Sequence, residues 1–171
     1  MKNIGIIGAG IMGTDLAHIT AEAGYQVKIF DDNFNKTQSA IALIHSRLNE
    51  YVKKERMTDA DSKKIRTHIN VTENIKELSN SDIILEAVNE DLTIKKSIFK
   101  QLSDICEPGN VLASVTSSIS ITEIASATTR PESVIGLHFL NPARVLPLVE
   151  IVPGFSTTRE TVEMSKSFLK R

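Results

Sequence analysis

The chain has 171 residues, 41% of them apolar, and a formal charge of −1 at pH 7. That length suits one domain with a sizeable core, and the balanced charge gives no reason to expect nucleic acid or an anionic membrane as a partner. The single cysteine, Cys106, rules out an intrachain disulfide and fits a reducing compartment.

Residues 3–8 and 26–31 read as strands joined by a helix over 11–23. Its buried face is expected from Ile11, Leu16, Ile19 and Ala23, with Gly24 as the stop. A longer helix is expected over 34–54, with Ala40, Ile41, Leu43, Ile44, Leu48 and Tyr51 partly on one side. It closes on the cations of Lys53-Lys54-Glu55-Arg56, which suit a helix C-terminus. Thr58 then caps a short helix to about Arg66, so the two form a helical hairpin projecting from the sheet.

Residues 68–71 form a short strand, 82–87 a strongly apolar one, and 91–105 a helix. A strand over 110–115 precedes a short helix through 127 begun by Ser120. Strands follow over 134–138 and 148–152, and a last helix starts near Thr157 or Thr158 and runs to the terminus. Val162, Met164 and Phe168 of that helix need a cover, which points to a chain cut short or completed by a partner. No apolar run approaches the roughly 20 residues that span a bilayer. Residues 3–8 read as a strand close to the N-terminus, so no signal or transit peptide is expected, and the expected location is the cytoplasm. The alternation defines an α/β fold, a Rossmann-like, doubly wound, mostly parallel sheet.

The first strand leads into Gly8-Ala9-Gly10-Ile11-Met12-Gly13, a G-x-G-x-x-G, and the second ends in Asp31. Strand, glycine turn, helix, strand and acid in that order are the context of a dinucleotide site. A side chain at Gly8 would obstruct the turn, one at Gly10 would hold the backbone off a pyrophosphate, and one at Gly13 would hold the helix off the sheet. The helix N-terminus offers N–H groups to phosphate. Asp31 can accept hydrogen bonds from a ribose diol and repels a 2′-phosphate, so the cofactor expected is NAD, not NADP. The competing reading is a glycine turn of another α/β protein, with Asp31 as a strand-end cap.

Three later segments place polar groups at strand ends, where open α/β sheets bind ligands. They are Ala87-Val88-Asn89-Glu90-Asp91 with Lys95 beyond it, Thr116-Ser117-Ser118, and Gly136-Leu137-His138-Phe139-Leu140-Asn141-Pro142 with Glu150 further on. A histidine followed by an acid suits a base held in one orientation, and a serine hydroxyl can hold the oxygen that loses its proton. His138 as a hydrogen-bonded strand-end residue, with Glu150 exposed or ion-paired, is equally open at this point. No residue is singled out as a metal ligand.

With Glu86-Ala87-Val88-Asn89-Glu90, Thr116–Ile121, Gly136–Pro142 and Leu148-Val149-Glu150 added to the glycine turn, essentially the whole chain resembles the N-terminal NAD-binding domain of the short-chain L-3-hydroxyacyl-CoA dehydrogenases. The resemblance implies reversible NAD-dependent oxidation of a 3-hydroxyacyl-CoA to the 3-ketoacyl-CoA. It implies His138 as the base, Glu150 as the acid orienting it, and Ser117 as a hydroxyl touching substrate and cofactor. Asn141, Glu90 and Lys95 match cofactor positions near the nicotinamide half, and Asp31 matches the adenosine-ribose acid. Coenzyme A is expected along the helical hairpin, near Ser46 or Arg47 and Lys53 or Lys54; a merely solvated helix end fits the basic cluster equally well. Members of the family carry a further all-helical domain that closes the acyl pocket and forms homodimers; that domain and the last strand of the nucleotide domain are not in this sequence.

The sequence departs from the family pattern at four places. Val115 stands where an asparagine usually organises the Thr-Ser-Ser loop, so Ser117 is expected to be less well held. Asp15 stands where glycine is common, and its charge is expected to sit unfavourably near a pyrophosphate. Arg144 and Pro147 replace commoner residues. Two other readings stay open: a dehydrogenase of a hydroxy acid that is not a thioester, and a non-catalytic NAD-binding module.

Overall fold

A computed structural model describes residues 2–170. Seven strands, β1 (Asn3–Ile7), β2 (Gln26–Phe30), β3 (Ile69–Thr72), β4 (Ile83–Glu86), β5 (Val111–Ser114), β6 (Val134–Phe139) and β7 (Val149–Pro153), form one sheet in the order β3-β2-β1-β4-β5-β6-β7. Six run parallel, and β7 pairs antiparallel with β6. The expected mostly parallel sheet is present, and every expected strand and helix falls within about two residues of its observed bounds. The short 3₁₀ turns at Ile75–Leu78 and Pro131–Ser133 carry too few residues for a periodic signal and were not anticipated.

Both sheet faces are covered, which is why the strands read as continuous apolar runs. Ile4, Ile6, Ile83 and Leu85 share one core with α1 (Ile11–Glu22), α2 (Phe34–Lys53), α3 (Asp59–Thr67) and α6 (Arg159–Leu169). Ile7, Ile84 and Leu112 share the opposite core with α4 (Leu92–Ile105) and α5 (Ile121–Ala125). Residues one apart point to opposite faces, so one strand feeds two cores.

Two expectations of burial need correcting. Ile11 is 78% exposed, although Gly13, Thr14, Asp15 and Leu16 just after it in α1 are buried. Leu43 is also exposed, lying away from the face that buries Ala40, Ile44 and Leu48. The last helix finds its cover within the chain. Phe168 packs on Tyr25 at 5.3 Å between ring centres, the Tyr25 hydroxyl donates to the Phe168 carbonyl at 3.1 Å, and Val162 and Met164 lie on the same core. Arg171, to which that helix was expected to run, lies outside the described residues.

The order of connections places β2 and β3 on one side of β1 and β4 onward on the other. The chain therefore parts above the C-terminal ends of β1 and β4, and a crevice opens there.

Candidate functional site

One end of the crevice is built by the glycine turn. Gly8 has φ +97°, and a Cβ there would lie 2.6 Å from the Ala87 carbonyl oxygen. A Cβ on Gly13 would lie 1.8 Å from the Gly8 carbonyl oxygen, so the glycine lets α1 sit directly on the turn. At Gly10 a Cβ would meet nothing within 4 Å, because it would project into the crevice itself. The Asp31 carboxylate closes the turn, accepting from the Ala9 N–H and the Asn33 N–H, both at 2.9 Å.

The helix N-termini differ in a way that bears on the cofactor. Asn33, Thr58, Asp91, Ser120 and Thr158 each cap their helix with a side-chain oxygen. α1 begins at Gly10 with no side-chain cap and no acid in its first turn. Its leading N–H groups are left for an anion. An uncapped helix, an open cradle at Gly10 and an acid at the end of β2 fit a dinucleotide, and Asp31, Asp32 and Lys36 line the same cavity as Gly8 and Gly10.

The other end of the crevice stands on a buried carboxylate. Glu86, the last residue of β4, is fully buried and accepts from Lys95 Nζ at 2.7 Å, Ser114 Oγ at 2.6 Å and the Val88 N–H at 2.9 Å. Lys95 is 1% exposed, and its ammonium also meets Glu90 at 3.3 Å. Lys95 thus lines the cleft shared by Ser117, His138 and Asn141 and faces two acids. Glu90 in turn accepts from the Thr116 hydroxyl, the Ser117 N–H at 3.1 Å, the Ser118 N–H at 3.2 Å and the Ser118 hydroxyl at 3.1 Å. Burial acts to raise the Glu90 pKa, but the Thr116 hydroxyl, Lys95 and the Ser118 hydroxyl outweigh it and hold the carboxyl at about 2.

This network answers the concern at Val115. The loop after β5 is held by the Glu90 carboxylate, and by the Thr116 hydroxyl accepting from the Ser118 and Ile119 N–H groups. The Ser117 backbone is thus anchored without an asparagine at position 115. The structural part of Glu86, Ser114 and Thr116 was missed in sequence. The available signal was an acid closing an apolar strand, with a lysine nine residues on.

His138 and Glu150 face one another across β6 and β7. The Nδ1 of His138 lies 2.7 Å from Glu150 Oε2. A carboxylate on Nδ1–H leaves Nε2 as an acceptor. His138, Ser117, Asn141, Met12 and Glu90 line one cleft, and His138, Ser117 and Glu150 line an adjoining one.

The hairpin residues sit elsewhere. Ser46, Lys53 and Lys54 are exposed on α2 or at its end, with Lys54 paired to Glu50. Arg47 turns inward onto Asp15 at 2.8 Å. Asp15 is itself 2% exposed and also meets Arg144 at 3.2 Å. Its charge is thus paired with two guanidiniums.

The fold and the crevice define a dinucleotide-binding domain of the doubly wound class. Residues 3–171 match the family described as 3-hydroxyacyl-CoA dehydrogenase, NAD binding domain, and the chain belongs to that family. A probable 3-hydroxybutyryl-CoA dehydrogenase of Bacillus subtilis (strain 168) is 38% identical over 161 residues, covering 94% of this chain and 56% of that protein. The 3-hydroxyadipyl-CoA dehydrogenase of Escherichia coli (strain K12) is 39% identical over 163 residues, covering 95% of this chain and 34% of that protein. A crystal structure of 3-hydroxybutyryl-CoA dehydrogenase from Escherichia coli K12 superposes with a TM-score of 0.96 at 38% identity, covering 99% of this chain and 36% of that one. The chain spans about half the length of the 3-hydroxybutyryl-CoA dehydrogenases it matches, at 56% and 58%. Among the described residues no helix is long and apolar enough to cross a membrane.

Proposed function

We propose that this domain serves a reversible NAD-dependent oxidation of a 3-hydroxyacyl-CoA to the 3-ketoacyl-CoA, supplying the NAD site and the catalytic base. One observation carries the reading: an imidazole held by a carboxylate at 2.7 Å, on the wall of the cleft that Ser117 and Asn141 share. NAD, held by the glycine turn and Asp31, would supply the acceptor for the hydride on the carbon bearing the substrate hydroxyl. His138 takes the hydroxyl proton at Nε2. Glu150 stabilises the imidazolium that forms and keeps the ring aimed. Ser117 holds the substrate oxygen, and Asp31 accepts from the adenosine ribose. Asn141 and Glu90 lie at the nicotinamide half, and Lys95 acts there through Glu90. The acyl-CoA thioester is the partner, with Ser46, Lys53 and Lys54 as the positions nearest its nucleotide end, and the reaction belongs to the cytoplasm.

The second reading is a non-catalytic NAD-binding module. Asp15 is paired with two arginines and the loop after Val115 is pinned by Glu90, which supports the catalytic reading over it. The test is acetoacetyl-CoA-dependent oxidation of NADH by the wild-type protein and by His138→Gln. The variant is expected to lose about 10²–10⁴-fold in kcat while NADH binding, read by fluorescence, is unchanged. Retained turnover in His138→Gln overturns the base assignment, and a wild-type protein that binds NADH without turnover, both alone and with a supplied helical domain, favours the module.

A further inference from the structure

Asp15 and Arg144, two of the departures from the family pattern, meet in space although 129 residues apart. We propose that they act as one lock, tying the loop between β6 and β7 to the cofactor helix, and that Asp15 is thereby a positioning residue for the reaction. The kinetic part rests on the function proposed above; the structural part does not.

The loop joins the strand that carries His138 to the strand that carries Glu150, and Asn141 lies on it. Its own backbone holds it weakly. Leu140 N–H reaches Leu148 O at 3.4 Å, and the turn beyond is closed by the Val145 and Leu146 N–H groups on the Pro142 carbonyl, at 2.9 and 3.1 Å. Asn141, Pro142 and residues 145–148 are exposed, whereas Ala143 is buried and Arg144 is half-buried. Arg144 reaches out of the loop. Its Nε donates to Asp15 Oδ1 at 3.2 Å and its Nη1 to the Tyr51 hydroxyl at 3.0 Å. Arg47 donates to the same Asp15 oxygen at 2.8 Å.

One carboxylate therefore holds two guanidiniums together. His18 stacks on Tyr51 at 6.1 Å and is buried with both ring nitrogens unpartnered, and it adds no third charge. Burial first, then Arg144 and Arg47, lower its pKa to about 4. Without the Asp15 charge the two arginines repel at short range. Arg47 is fixed in a 20-residue helix and Arg144 lies on an exposed loop, so the loop is what moves. Asp15 follows the phosphate-binding turn by two residues, and Met12 on the same helix lines the cleft with His138 and Asn141. A displaced loop therefore disturbs the nicotinamide end and leaves the adenosine end in place.

The experiment compares wild type, Asp15→Asn, Arg144→Gln and the double variant. It uses amide hydrogen exchange over residues 141–148, NADH affinity, and kcat and KM for acetoacetyl-CoA. Each single variant is expected to speed exchange at Val145 and Leu146 at least tenfold. Each should lower kcat about tenfold and leave NADH affinity within threefold. The double variant should be no worse than either single one, the signature of a shared unit, and Asp15→Glu should recover part of kcat. Unchanged loop exchange in both single variants overturns the lock, as does a double variant whose loss is the product of the two. Should Asp15→Asn fail to fold, Arg144→Gln reads the loop alone. Should the wild type fail to turn over acetoacetyl-CoA, the proposed function falls while exchange still decides the lock.

Discussion

Gly10 and Gly13 are two of the three glycines of one motif, yet alanine at each is expected to fail in a different way. At Gly13 the added carbon would lie 1.8 Å from the Gly8 carbonyl oxygen, where ordinary contact begins near 3.4 Å. The start of α1 would have to retreat by roughly 1.5 Å from backbone that cannot yield. Forced overpacking costs about 1–3 kcal/mol when side chains can adjust; here the obstacle is a carbonyl, so about 3 kcal/mol or more is expected. For a chain of this size that lowers Tm by about 6–12 °C. At Gly10 the added carbon meets nothing within 4 Å, and the residue's φ of −73° is open to alanine. Gly10→Ala should leave stability within about 1 kcal/mol of wild type. It places a methyl where a pyrophosphate must approach the backbone, so NADH affinity should fall at least about thirtyfold, or roughly 2 kcal/mol. Thermal unfolding of the two variants and NADH titration of Gly10→Ala separate the two roles. A Gly13→Ala protein as stable as wild type, or a Gly10→Ala protein that binds NADH normally, would refute the reasoning.

Lys95→Met strands the Glu86 carboxylate in a dry site, and denaturant unfolding should show a loss of about 3–5 kcal/mol. Adding Glu86→Gln should restore at least half of it, and a loss under about 1 kcal/mol would count against the network. Asp31→Ala should reduce the preference for NADH over NADPH, measured by fluorescence titration; equal preference in wild type and variant argues against the ribose role. The His18 pKa is lowered from 6.5 to about 4, so between those values the unfolded chain binds more protons than the folded one. Stability is then complete above about pH 6.5 and drains away as pH falls toward 4, by up to roughly 3 kcal/mol from this group. His18→Leu should flatten unfolding free energy between pH 5 and 6.5, and an unchanged slope would show that other groups carry it.

The order of elements and the crevice-forming glycines were legible because they follow local rules. An apolar run too short for a helix, a glycine that must adopt φ +97°, and a threonine or serine opening a helix act within a few residues. The His138–Glu150 pairing was half legible. Spacing placed both at strand ends, but only an antiparallel β7 sets them directly opposite. Had β7 run parallel, the two side chains would not have faced each other at 2.7 Å. The support beneath the site left only a faint mark in the sequence, an acid closing an apolar strand with a lysine nine residues on. Glu90 read as a cofactor contact, whereas its carboxylate first gathers the Thr116–Ser118 loop; Asp15 read as a misplaced charge, whereas Arg47 and Arg144 surround it.

Periodicity and turn chemistry, taken alone, determined that this chain is an alternating α/β domain with a dinucleotide turn, because hydrophobic period and backbone φ are properties of neighbouring residues. Tertiary structure alone decided where each charge finds its partner. Asp15 meets residues 32 and 129 positions away, and an ion pair forms or fails over about an ångström of side-chain placement that no local pattern encodes.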